Sequence, residues 1–378
     1  MLFLIGLILI SRFFCKYIHN KKQNANTNFD FKIVGGIKMK IVPVEESIGM
    51  VLCHDLTKIV PDEFKGAAFK KGHIIEKQDI PKLLDMGKRN IYVWEIEEGM
   101  LHENEAGERI ARAVAGNSIR FSEPSEGKVN LISKRRGLLK VNYKALEQIN
   151  LIDEAIVATL HTDIVVDEGN IVAGTRIIPL FIDKYKIEHI ENICEEVGNI
   201  IKVVSFKAMK VGVITTGSEV YTSRIQDKFG PVIKRKIEEM GSQVIKQIFV
   251  PDNVDMISGA VKELLGMGAE MIIATGGMSV DPDDVTPAGI RQAGAKIISY
   301  GAPVLPGSMF LVAYLDNIPV LGLPGCVMYH KTTVFDLMLP KIVAGERIKK
   351  EDITKLGHGG LCLNCESCSF PKCGFGKS

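Results

Sequence analysis

The sequence carries almost no net charge: 47 Lys and Arg stand against 45 Asp and Glu, leaving +2 over 378 residues. That is too little to hold the chain on nucleic acid by bulk electrostatics, which scales with the number of phosphates neutralised. Any anionic ligand must therefore be caught by a local site. An apolar run long enough to span a bilayer is also missing. Leu2 to Ile10, followed by Ser11-Arg12-Phe13-Phe14, supplies about a dozen apolar positions where roughly 20 are needed. Lysines follow it without a small-residue cleavage site, so it is a poor signal peptide, and no firm membrane association is expected. Nor do the cysteines form a disulfide framework of the secreted kind. Cys15, Cys53, Cys194 and Cys326 are scattered and the other four fall within the last 17 residues. A reduced, cytoplasmic protein with one dense metal-type cluster fits that distribution. Long disorder is excluded by 46% hydrophobic against 24% charged residues.

Glycine is what the sequence has in excess, 36 against 15 prolines, and the glycines gather at the ends of short β-rich runs. They direct attention to turns where the backbone approaches something closely. The length allows two or three domains. Residues 1–38 form an N-terminal extension with two open readings. One is a weak cytoplasmic-side anchor. The other is that the segment is not translated: Val34-Gly35-Gly36 requires a G-rich stretch just before Met39, as a ribosome-binding site would, so translation is expected to begin at Met39.

Residues 39–204 read as an α+β accessory region with a β-rich part. Val42 to Leu56 is strand and turn, Asp79 to Met86 a short helix closed by Gly87, and Ile91 to Trp94 a strand. Residues 103–118 carry a helical pattern. Lys128 to Val141 alternates around Arg136-Gly137 as a hairpin would, and Ile164 to Val166 followed by Val172 to Ile178 reads as a further strand pair. Lys184 to Val197 is amphipathic. Residues 205–347 alternate strand and helix, the sign of an α/β domain with a mainly parallel sheet and flanking helices. Strands are expected at Val211–Ile214, Val244–Val250, Met271–Ala274, Ile297–Tyr300 and around Asp316-Asn317. Helices are expected at Phe229–Met240, Val254–Leu265, Val285–Gln292 and near Tyr329–Leu339. Residues 348–378 form a cysteine-rich tail.

Ligands in open α/β sheets bind beyond the carboxyl ends of the strands. There the sequence places Thr215-Thr216-Gly217-Ser218-Glu219, Thr275-Gly276-Gly277-Met278-Ser279 and Gly322-Leu323-Pro324-Gly325. Thr216, Gly217, Ser218, Gly276, Gly277, Ser279, Pro324 and Gly325 would form a floor of backbone N–H groups and small hydroxyls suited to phosphate. Any one turn alone is explained by tight-turn geometry; their coincidence on one face points to a ligand. Asp227 and Asp284 fall on the same face. Carboxylates beside a phosphate floor make sense if a divalent cation such as Mg2+ bridges them to the ligand. Helix capping is the competing explanation, left open for this pair and preferred for Asp252 and Asp283.

The stretch Gly217 to Asp227, the run Thr275 to Val280 with Asp284-Val285-Thr286-Pro287, and Leu323-Pro324-Gly325 together resemble the molybdopterin-binding domain of molybdenum cofactor biosynthesis. That family includes molybdopterin adenylyltransferase and molybdopterin molybdenumtransferase. The resemblance covers roughly residues 208–345 and, more loosely, Val42 to Pro179, whose order is similar to the accessory domains of the molybdenumtransferase. It implies that the glycine turns bind the pterin's phosphate and that Asp227 and Asp284 serve catalysis and metal. It also implies molybdopterin or its adenylylated form and molybdate as ligands, with pairing into a homodimer. Two departures stand out. Where the molybdenumtransferase carries Asn-x-Ala-Met-Asp-Gly-Tyr-Ala, this chain reads Glu63-Phe64-Lys65-Gly66-Ala67-Ala68-Phe69-Lys70. The usual Leu-Pro-Gly-Asn-Pro turn is Leu323-Pro324-Gly325-Cys326-Val327.

The tail is the second signal. Cys362, Cys365, Cys368 and Cys373 are spaced C-x2-C-x2-C-x4-C, close enough to converge on one centre. The close packing of the first three resembles iron–sulfur loops more than zinc ribbons, and both an iron–sulfur cluster and Zn2+ stay open. His358 is either a ligand or a turn residue. The ending Gly374-Phe375-Gly376-Lys377-Ser378 is not a P-loop, because Pro371 stands where glycine is needed. The expectation is an enzyme of molybdenum cofactor biosynthesis that transfers molybdate to molybdopterin. The alternatives are a non-catalytic pterin carrier or redox sensor, and a hydrolase of free nucleotides.

Overall fold

The computed structural model describes residues 31–32, 38–60, 64–95, 98–279 and 281–377. Most of the 1–38 extension, Glu63 and Val280 therefore lie outside the described residues, as does the side chain of Lys65. By internal contacts the chain divides into one unit through Leu101 and another from His102 to Ser378. The second unit contains much of the expected accessory region as well as the α/β domain.

The first unit holds a four-stranded antiparallel sheet ordered β1 (Phe31–Lys32), β2 (Lys38–Pro43), β6 (Asn90–Glu95) and β3 (Val51–Leu52). A separate hairpin pairs β4 (Leu56–Val60) with β5 (Phe64–Phe69), and α1 spans Asp79–Asp85. The stretch around Gly66, where the sequence departs from the molybdenumtransferase pattern, thus forms one arm of this hairpin. Leu52, Ile75, Leu83 and Val93 make its buried core.

In the second unit, α2 (Glu103–Val114) precedes β7 (Ile119–Phe121), β8 (Val129–Ser133) and β9 (Gly137–Val141). Then follow α3 (Tyr143–Asn150), β10 (Ala155–Thr159), β11 (Val165–Val166), β12 (Ile171–Ile177), α4 (Lys184–Val197) and β13 (Ile201–Val204). Two of the expected strand pairs do not form. β8 and β9 enter different sheets, one ordered β10-β12-β8-β7 and the other β11-β9-β13. The cause is at Gly137, which lies so close to β13 that a Cβ there would stand 2.2 Å from the Val204 carbonyl oxygen. β9 therefore pairs with β13, Leu138 opposite Val204 and Val141 opposite Ile201. β11 likewise pairs with β9 and not with β12.

The α/β part consists of β14 (Lys210–Thr216), α5 (Ser218–Tyr221), α6 (Phe229–Glu239), β15 (Gln243–Val250), α7 (Val254–Gly266) and β16 (Met271–Thr275). It continues with α8 (Thr286–Gln292), β17 (Lys296–Tyr300), β18 (Leu311–Leu315), β19 (Ile318–Leu323), α9 (Val334–Val343) and α10 (Lys350–Thr354). The six strands are ordered β15-β14-β16-β19-β18-β17. β15, β14, β16 and β19 are parallel, and β18 and β17 complete the sheet antiparallel. β14 and β16 are buried almost throughout, as strands covered on both faces must be. Val211, Val213 and Ile273 face a core with Ile233 and Phe335, while Ile214 and Ile272 face one with Ile257, Val261 and Leu264.

The last helix differs from expectation. Gly325–Met328 is a 3-10 turn, and α9 starts only after Thr333, whose hydroxyl accepts from Phe335 N while Asp336 accepts from Thr333 N. It then runs through Pro340, where the sequence pattern suggested a stop. The start of the tail is part of the same core, with Ile353 and Leu356 buried among these residues.

Asp163 joins β9 to α9. Its carboxylate receives Lys140 Nζ and Lys341 Nζ, the latter at 2.8 Å, and Lys140 also reaches Glu346 at 2.7 Å. Burial alone would raise the Asp163 carboxyl; the Lys341 charge and the two lysine hydrogen bonds outweigh it and hold it below its usual value. A carboxyl lowered on folding contributes stability above its unfolded value, near ~3.9, and loses it as pH falls through the folded value. Asp163→Asn is therefore expected to cost about 1–2 kcal/mol at neutral pH and much less in acid, measured by urea unfolding at both pH values.

Candidate functional site

The register of the parallel strands fixes where their turns emerge. Thr215 of β14 stands opposite Phe249 of β15 and Thr275 of β16, and Thr275 stands opposite Leu323 of β19. The chain leaves each strand within two residues of that row, so Gly217–Ser218, Gly276–Gly277 and Pro324–Gly325 open on one edge of the sheet. Strand order reverses between β14 and β16, because β14 is followed by β15 on one side and then by β16 on the other. This is the crevice where open α/β sheets take their ligands.

The hydroxyls at these strand ends hold the turns. Thr216 is buried; its Oγ1 donates to the Thr275 carbonyl at 3.1 Å and lies 3.1 Å from Thr286 Oγ1. Thr286 Oγ1 donates to the Gly276 carbonyl at 2.9 Å. Gly276 and Gly277 have φ of 82° and 55°, and a Cβ on Gly276 would stand 2.3 Å from the Thr216 carbonyl oxygen. Both glycines are thus required by the turn itself. Gly325 is different: a Cβ there would meet nothing within 4 Å, and its φ is not positive. Pro324 is buried beside it, while Ser218, Ser279 and Gly325 are exposed.

The acidic residues occupy distinct environments. Asp227 Oδ1 accepts from Phe229 N at 2.8 Å and Gly230 N at 3.2 Å, and its Oδ2 from Gly230 N at 3.0 Å and Gln247 Nε2 at 2.7 Å. Both oxygens are committed to the start of α6 and to Gln247, which also donates to Thr215 Oγ1 at 2.8 Å. A Cβ on Gly230 would lie 2.4 Å from Asp227 Oδ2, so glycine there is what lets the carboxylate sit over the helix end. Asp284 is half-buried, and its Oδ2 accepts from Asp281 N at 3.0 Å.

Tyr300, at the end of β17, donates to the Met278 carbonyl at 2.9 Å and ties the second glycine turn to the sheet's far edge. Burial, and then the Asp284 charge, push its phenol above the ordinary value, which keeps it a donor. Asp252 does not cap α7; Asn253 does, accepting from Met256 N. Asp252 Oδ2 instead accepts from Ser218 N at 3.0 Å and Ser218 Oγ at 3.3 Å, so it occupies donors that the sequence offered to a phosphate. Asp283 makes no cap either, since Val285 is the N-cap residue of α8 and no side chain caps that helix. Burial pushes the Cys326 thiol above its usual value, so this departure from the family's asparagine adds no thiolate.

Gln247, Thr286 and Tyr300 escaped the sequence reading. A glutamine inside the strand run Val244 to Val250 was the available signal for the first. Thr286 lay within a quoted motif without a role, and nothing local marked Tyr300.

The four tail cysteines line one cavity of about 540 Å3 together with Tyr329 to Thr332. Among the described residues no three His, Cys, Asp or Glu side chains are arranged to hold a single metal ion. No helix among them is long and apolar enough to cross a membrane.

Fold and site define an α/β domain whose glycine turns converge at the topological switch of its sheet. Residues 212–344 match the sequence profile of the family described as "Probable molybdopterin binding domain", and residues 41–95 match a domain of unknown function. Over residues 212–344 the chain is similar to that family. It is 28% identical over 150 residues to molybdopterin molybdenumtransferase of Haemophilus influenzae, covering 38% of this chain and 37% of that one. A CinA-like protein of Syntrophus aciditrophicus is 35% identical over 85 residues, 22% of this chain and 20% of that one. Both matches thus span well under two thirds of the relatives' length. The crystal structure of the molybdopterin biosynthesis enzyme MoaB from Thermus thermophilus aligns with a TM-score of 0.30 at 20% identity, over 37% of this chain and 99% of that one.

Proposed function

We propose that this protein acts in molybdenum cofactor biosynthesis, binding molybdopterin or its adenylylated form across the glycine turns and transferring molybdate to it. The observation that carries this is Gly325. Gly276 and Gly277 are demanded by packing against Thr216 and Thr286, whereas the space beside Gly325 is open, on the edge where the three turns meet. A glycine with no folding reason beside a crevice is best explained by a ligand that approaches its backbone.

In this reading the N–H groups of the Gly276–Ser279 turn and the exposed Ser279 hydroxyl receive the phosphate. Asp227 keeps α6 and Gln247 in place beside Thr215. Its oxygens are already satisfied, so a cation bridging Asp227 and Asp284 does not fit the donor set. Asp284 alone fits Mg2+, which commonly takes one or two carboxylates and completes its shell with water and phosphate. When bound, the ion offsets phosphate charge; Asp284 orients it and Tyr300 holds the loop that carries Asp284's neighbours. A homodimer belongs to the same proposal and is checked by light scattering.

Gly325→Val is expected to leave the melting temperature unchanged and to weaken molybdopterin binding roughly 100-fold, followed by pterin fluorescence. Unchanged affinity removes the site from this face. Incubating the protein with adenylylated molybdopterin, Mg2+ and molybdate separates the chemistries. AMP release dependent on Asp284 supports transfer, binding without turnover supports a carrier, and turnover of free nucleotides supports a hydrolase.

A further inference from the structure

We infer that Cys362, Cys365, Cys368 and Cys373 hold a cubane iron–sulfur cluster in the cavity between the tail and Tyr329–Thr332. The tail is pinned at both ends of the cysteine segment. Leu305 N donates to the Gly360 carbonyl and Cys362 N to the Leu305 carbonyl, each at 2.8 Å. Gly376 N donates to the Gly359 carbonyl at 2.9 Å and closes the loop. Phe375 is buried and stacks edge-on against Phe370, and a Cβ on Gly376 would lie 2.3 Å from Leu337 Cδ2.

Between these pins every residue from 363 to 369 is exposed. A loop with no buried apolar residue of its own gains nothing from the hydrophobic effect that would keep a cavity of about 540 Å3 open beneath it. All four cysteine positions line that cavity, and none of the four is in a disulfide. A bound group that the thiolates share supplies the missing stabilisation.

The size of the cavity and the spacing of the four cysteines along the chain choose between the candidate groups. A structural Zn2+ draws four ligands to one point at about 2.3 Å per Zn–S bond. A cluster takes one thiolate per iron around a larger body, which suits a wide cavity and the C-x2-C-x2-C spacing with a more distant fourth cysteine. The Tyr329–Thr332 wall of the cavity follows directly on the Pro324–Gly325 turn and the 3-10 turn after it. Thr332 Oγ1 stands 3.5 Å from Cys368 Sγ, a hydroxyl–sulfur contact of the kind that tunes a bound cluster.

The test is metal analysis of the full chain, purified anaerobically and, where iron is low, reconstituted with ferrous iron and sulfide. About four irons and about four acid-labile sulfides per chain are expected, with broad visible absorption that bleaches on reduction. Cys365→Ser, at an exposed position, is expected to lower iron roughly tenfold or more with an unchanged circular dichroism spectrum, whereas Cys53→Ser keeps the full load. About one zinc without sulfide overturns the inference, as does iron that survives Cys365→Ser or a chain that retains no iron and sulfide after reconstitution. Because the readout is iron and sulfide, it is independent of whether the glycine face binds a pterin.

Discussion

Asp227→Ala is expected to lower the unfolding free energy by about 2 kcal/mol, whereas Asp284→Asn leaves it within about 0.5 kcal/mol and slows molybdate transfer roughly 100-fold or more. The contrast follows from hydrogen bonding. The Asp227 carboxylate accepts from two N–H groups at the start of α6 and from Gln247, and its removal strands those donors where Gly230 brings the backbone close. Charge-assisted bonds of this kind contribute more than neutral ones. Asp284 has one backbone donor on one oxygen, and an asparagine keeps that acceptor while removing the charge. Urea unfolding and AMP release, measured on the same preparations, check both halves. If Asp227→Ala unfolds like the parent and only turnover suffers, Asp227 is a catalytic group and the cap assigned to it is wrong. If Asp284→Asn retains full turnover, the carboxylate has no part in positioning the cation.

How much of this was legible in the sequence depended on the range of the interaction. The continuous apolar runs at Val211–Ile214 and Met271–Ala274, set between amphipathic stretches, sufficed for a parallel sheet, because burial on both faces writes itself locally. The convergence of the three glycine turns followed from that sheet, since parallel strands of similar length end on one edge. The segment around Arg136-Gly137 reads as a hairpin, and Ile164 to Val166 with Val172 to Ile178 as a strand pair, yet neither pairing forms. Alternation reveals that a segment is a strand but not its partner, and the partner of β9 was set by the approach of Gly137 to Val204, 67 positions along the chain. The carboxylates were ambiguous for a related reason. An aspartate before a helix suits a cap or a metal, and only the positions of Gln247 and Ser218 decide which donors reach Asp227 and Asp252.

Truncating Lys236 is expected to cost about 3 kcal/mol of stability for Lys236→Ala. Its ammonium is buried, donates to the Lys331 carbonyl at 3.0 Å and pairs with Asp336. Asp336 is also the acceptor for Thr333 N at 2.7 Å in the cap of α9. Removing the lysine leaves a carboxylate with little access to water and only the cap to satisfy it. Breaking a buried pair from one side costs more than the pair contributes, because an unmatched charge remains. Asp336→Ala loses the same pair and the cap as well, so it is expected to cost at least as much. The double variant Lys236→Ala, Asp336→Ala should cost less than the sum of the two single changes, since neither charge is then stranded. Calorimetric melting of the four proteins closes the cycle, and strict additivity would mean that the two side chains do not act as a pair. The consequence reaches the candidate site. Lys236 lies on α6, which Asp227 caps, and Asp336 lies in the first turn of α9, which follows the Gly325 turn by way of Tyr329–Thr332. One ion pair thus holds together the helices behind two parts of the proposed ligand floor, and variants that loosen it should weaken ligand binding in step with their loss of stability.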